Sequence, residues 1–139
     1  MFGRYAVVRA VVAGEVSVGI SPTMVSNDEF DREVRNIVRQ LLRLYKPQKV
    51  VLSGSLVKGE ANAGTDIDLF IVKSDVPGLG VDRIRELDAL IRYRLATDLV
   101  VYTPEEVEQR LSLGDPFVKR ILEEGRMLYV APDLQRSYA

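Results

Sequence analysis

The strongest constraint on this chain is an alternation of short β-branched runs with longer stretches of helical periodicity, most of them punctuated by proline or glycine. Lys49 to Leu52 and Ile67 to Val72 read as buried strands, and Leu99 to Tyr102 as a third central strand. Phe30, Val34, Ile37, Val38, Leu41 and Leu42 recur at helical spacing behind Ser26 and Glu29, a capping-box pair, and this helix stops near Tyr45 before Pro47. Val81, Ile84, Leu87, Ile91 and Leu95 make a second amphipathic helix. Thr103-Pro104 with Glu106, and Asp115-Pro116, each start a further helix by an N-cap and an N1 proline. Gly125 ends the last helix, and Met127 to Val130 reads as a final edge strand. The order helix, strand, strand, helix, strand, helix, helix predicts an α/β (α+β) domain with one mixed central sheet and helices mainly on one face.

A length of 139 residues suits one domain. Residues 26–131 carry the pattern. Residues 1–25 read as an N-terminal extension, with β-branched residues on both sides of Ala13-Gly14 suggesting a β-hairpin, and residues 132–139 as a loose polar tail. Edges in the extension are open to sheet extension, to a second copy as a homodimer, or to a partner. No apolar run approaches the roughly 18 residues that span a bilayer, and two arginines interrupt the opening segment, so a cytoplasmic location without membrane attachment is expected. With 19 basic and 20 acidic residues the net charge is −1, and direct nucleic-acid binding is not expected.

The chain has no Cys and no His. This removes thiolate chemistry, imidazole ligands and the Ser-His-Asp triad. Any catalysis must run on carboxylates, Lys, Tyr or hydroxyls, and any metal must be a hard, oxygen-ligated ion such as Mg²⁺ or Mn²⁺.

Residues 52–69 concentrate the chemistry. A strand running through Gly54-Ser55 into a helical turn presents backbone N–H groups to a phosphate. Asp66 and Asp68, at i and i+2 on a strand, put two carboxylates on one face, an arrangement that is costly without a cation. Asp98 opens the third strand out of phase with Leu99 and Val101, and if that strand lies beside Ile67 to Val72 the three aspartates converge. Gly54 and Gly59 have P-loop spacing, but Glu60 and Ala61 stand where Lys and a hydroxyl residue are required. Gly78-Leu79-Gly80 lacks phosphate-loop context, and Arg35, Arg39 and Arg43 read as a solvated helix face.

Gly-Ser, ten intervening residues and Asp-Ile-Asp-Leu resemble the signature of the DNA polymerase β-like nucleotidyltransferase superfamily, especially its minimal (MNT) members of the MntA-like antitoxin type. Lys58 and Gly59 fall on the family's basic residue and glycine, Thr65 replaces a commoner Ser, and Asp98 with the following strand and helix is similar to the third-aspartate segment. The resemblance implies a polymerase β-like nucleotidyltransferase fold over residues 26–131. It implies transfer of a nucleoside monophosphate, AMP from ATP, with Asp66, Asp68 and Asp98 catalytic and on magnesium or manganese. Gly54, Ser55, Lys58 and Thr65 would bind the nucleotide. The acceptor it implies is a hydroxyl, including a tyrosine of a HEPN-domain toxin neutralised by this chain as antitoxin. Two alternatives stay open: a non-catalytic module that masks a HEPN partner, and an aminoglycoside-type, small-molecule nucleotidyltransferase.

Overall fold

The computed structural model describes residues 8–10, 27–62 and 64–132. In chain order these form β1 (Val8–Ala10), α1 (Asn27–Gln40, continued by one π-helical turn, Leu41–Tyr45), β2 (Lys49–Ser53), β3 (Ile67–Val72), α2 (Gly80–Leu90), β4 (Thr97–Tyr102), α3 (Pro104–Ser112), α4 (Pro116–Glu124) and β5 (Arg126–Val130). The five strands lie in the order β1-β4-β3-β2-β5. Only β3 and β4 are parallel, because α2 provides the crossover that a parallel pair needs. The sheet is therefore mixed, as the α/β reading expected.

Each β-branched run sits where its residues can pack on both faces, and the two faces bury separate clusters. On one, Val50, Leu52, Ile67, Leu69, Ile71, Leu99 and Val101 meet Phe30, Val34, Ile37 and Leu41 of α1 and Ile84 and Leu87 of α2. On the other, Val51, Phe70, Val72, Val100 and Tyr102 meet Val118 and Ile121 of α4, with Val107 of α3 packed alongside. Two helices thus cover each face, which corrects the expectation of helices mainly on one. The reason is pairing: with both faces of β3 and β4 apolar, neither face can be left to water.

Most boundaries follow their local signals. Thr103 Oγ1 accepts from Glu106 N–H at 3.1 Å while the Glu106 carboxylate accepts from Thr103 N–H at 2.8 Å, completing the capping box of α3. Lys46, left-handed at φ 57°, closes the turn before Pro47 by donating its N–H to Leu41 O at 2.8 Å. The second helix ends at Leu90, however, and does not run through Ile91 to Leu95. Side chains of α1 take over the backbone there. Gln40 donates to Arg92 O and accepts from Arg92 N–H, both at 2.8 Å. The buried Glu33 carboxylate accepts from the N–H groups of Arg94 and, at 3.0 Å, Leu95. These bonds satisfy donors that a longer helix would have used, and the apolar periodicity persists because Ile91 and Tyr93 are buried all the same.

At the C-terminal end of β4, Arg83 of α2 reaches Glu106 of α3 through two hydrogen bonds of 2.7 and 3.0 Å, and donates also to Val101 O and Pro77 O at 2.9 and 2.6 Å. This pair ties the helix layers together past the sheet edge. Within the N-terminal extension of residues 1–25, read as a β-hairpin, only Val8–Ala10 is described, as an edge strand antiparallel to β4; the remainder, Ser26 of the first capping box, and residues 133–139 lie outside the described residues. Among the described residues no helix is long and apolar enough to cross a membrane.

Candidate active site

Strand register builds the site. Ser53 pairs with Asp68 across the antiparallel β2–β3 ladder, and Asp68 with Asp98 across the parallel β3–β4 ladder. Directly paired residues project to the same face, so these three form a polar row on the face that also carries Val51, Phe70 and Val100, the next row in. The α4 side chains Val118 and Ile121 cover the apolar part of that face. The polar row opens into a cleft of about 700 Å³ lined by Ser53, Gly54, Ser55, Lys58, Asp68 and Asp98, among others.

The chain leaves β2 through Gly54, whose φ of 79° is a conformation that favours glycine. A Cβ at Gly54 would collide with a carboxylate oxygen of Asp68, so the missing side chain is also what lets the carboxylate lie against the backbone. Residues 54–60 then form overlapping tight turns, with Val57 N–H donating to Gly54 O at 3.2 Å and Lys58 N–H to Ser55 O at 3.1 Å. The leading N–H groups of such a turn have no acceptor within it, which suits an anion. Gly54, Ser55 and Lys58, expected to bind nucleotide, all line the cleft.

Asp68 and Asp98 come together as the register argument anticipated, but Asp66 and Thr65 are not among the cleft's lining residues. Thr65 closes its own loop, with its hydroxyl accepting from Asn62 N–H at 2.9 Å. Asp66 stands one residue before the start of β3. Among the described residues no group of three or more His, Cys, Asp or Glu side chains is arranged to hold a metal, and the aspartates that line the cleft are Asp68 and Asp98. That pair, with Ser53, is an all-oxygen donor set suited to a hard divalent cation.

Sequence reasoning missed two contributions. One is α4, which lines the cleft with Pro116, Phe117, Arg120, Ile121 and Glu124. The 116, 120 and 124 spacing lay in the sequence as a helix face, but nothing local says which face meets the site. The other is the hold of Glu33 and Gln40 on residues 92–95, the segment that leads into Asp98. Glu33 lies between Phe30 and Ile37 on the apolar stripe, and a carboxylate there needs buried partners.

Residues 32–135 match the family model described as the nucleotidyltransferase domain. A protein of Methanocaldococcus jannaschii, provisionally named a protein adenylyltransferase, is 27% identical over 101 residues, covering 71% of this chain and 97% of its own length. No solved structure gives a significant match.

Proposed function

From the premise that this chain belongs to the nucleotidyltransferase domain family, with a match over residues 32–135, we propose that it transfers AMP from ATP to a hydroxyl group on a protein. The observation that carries the reading is the in-register pair Asp68 and Asp98, facing the cleft beside the Gly54-Ser55 turn. The turn's N–H groups and Lys58 receive the β- and γ-phosphates, which sets the α-phosphorus over the carboxylates. Asp68 and Asp98 would hold a magnesium or manganese ion, with Asp66 as a further ligand on the strength of the Asp-x-Asp motif. Such an ion would supply charge neutralisation at the α-phosphate and at the departing pyrophosphate. Asp98 accepts the proton of the acceptor hydroxyl. The hydroxyl oxygen bonds to the α-phosphorus, the bond to the bridging oxygen breaks, and pyrophosphate leaves with that electron pair.

A protein acceptor is supported by the provisional name of the Methanocaldococcus relative. The MNT-type resemblance makes the acceptor a tyrosine of a HEPN-domain toxin and this chain its antitoxin. Incubation with α-labelled ATP, Mg²⁺ and the product of the adjacent open reading frame tests both levels. Label should move to that partner and disappear with Asp68→Asn. Absence of label with any of the four NTPs overturns nucleotidyl transfer, and label on the chain's other acceptors alone overturns the antitoxin role.

A further inference from the structure

The turn and the carboxylates account for the triphosphate end of a nucleotide, and leave the nucleoside end without a partner. The helix α4 offers one. Phe117 is the one aromatic residue among the described residues that line the cleft, and it is 45% exposed. Its position is anchored: Asp115 accepts from Phe117 N–H at 2.9 Å and pairs with Arg110 of α3 at 3.2 Å. A half-exposed ring carried on an anchored backbone can serve as a stacking platform, and base–aromatic stacking tolerates any base.

Charge supplies a second argument. The cleft is lined by the carboxylates of Glu60, Asp68, Asp98 and Glu124, against the two cations Lys58 and Arg120. A polyanion entering that field needs both, and Arg120 lies one helical turn from Phe117, since positions i and i+3 share a face.

We propose that α4 is the nucleotide-reading wall of the cleft, with Phe117 stacked on the nucleobase and Arg120 on a phosphate oxygen. This assignment rests on the nucleotidyl-transfer reading above. Titration calorimetry on the full chain with Mg-ATP and, separately, Mg-tripolyphosphate tests it, because the second ligand has phosphates and no base. Phe117→Ala should weaken ATP about tenfold and leave tripolyphosphate unchanged, while Phe117→Trp restores ATP binding. Arg120→Ala should weaken both ligands. The proposal is overturned if Phe117→Ala binds ATP as tightly as the parent, if it loses tripolyphosphate in equal measure, or if Arg120→Ala changes neither. A parent chain that binds neither ligand overturns nucleotidyl transfer itself, and this assignment with it.

Discussion

Replacing Arg83 by Met tests what the buried Arg83–Glu106 pair contributes. Arg83 is 2% and Glu106 7% exposed, and the guanidinium makes four hydrogen bonds. Methionine keeps the stem and removes all four, leaving the carboxylate buried with Thr103 as its remaining donor residue. Breaking one side of such a pair costs about 3–5 kcal/mol, a large share of the roughly 5–15 kcal/mol available to a domain of this size. Burial alone would raise the Glu106 carboxyl, but the hydrogen bonds and charge of Arg83, with Thr103, outweigh it and hold the group below its ordinary 4.5. A folded-state value below the unfolded one gives stability that is fully present above the unfolded value. That stability is lost as pH falls through the folded value. The gap between parent and Arg83→Met should therefore be widest near neutral pH and narrow in acid, where protonation removes the buried charge from the variant. Adding Glu106→Gln, which keeps an oxygen for Thr103, should return about 1–2 kcal/mol to the single variant at neutral pH. Urea unfolding at both pH values measures this. A loss below about 1 kcal/mol for Arg83→Met, or a double variant no better than the single one, refutes the reasoning.

Four further outcomes are expected. Gly54→Ala should cost about 1–3 kcal/mol and displace Asp68, so its transfer rate should fall far more than its melting temperature in paired assays. Asp68→Asn should abolish stabilisation by the divalent ion, so added Mg²⁺ should raise the melting temperature of the parent alone in calorimetry. Glu33→Ala should cost about 1–3 kcal/mol by stranding the N–H groups of Arg94 and Leu95, and hydrogen exchange should speed up at those two amides first. Tyr45→Phe should be neutral or stabilising, because the buried Tyr45 hydroxyl has no partner among the described residues and burial pushes its pKa up to about 12; a loss above about 1 kcal/mol in urea contradicts this.

Much of the site was readable because strands and turns carry short-range signals. The Gly54-Ser55 turn and the strand face of Asp68 are short-range signals, and the phase of Asp98 against Leu99 and Val101 put it on the face where it pairs with Asp68. What escaped depends on contacts between segments far apart in sequence. The end of α2 at Leu90 is imposed from α1, through Gln40 and Glu33, more than 50 residues upstream, and the local periodicity of Ile91 and Leu95 contains no trace of it. The distribution of helices over both faces likewise follows from which helix finds which side of the sheet.

The row Ser53, Asp68, Asp98 is held by ladder hydrogen bonds, so its spacing is a property of the backbone. Neighbouring strands run roughly 4.8 Å apart whatever their side chains, and the sheet serves as a ruler for the two carboxylates. The wall above them comes from α4, about 20 residues later in the chain and packed on the sheet through Val118 and Ile121. On the proposed reading, substitutions on α4 would retune which molecule enters while the spacing of the two carboxylates stays set by the backbone.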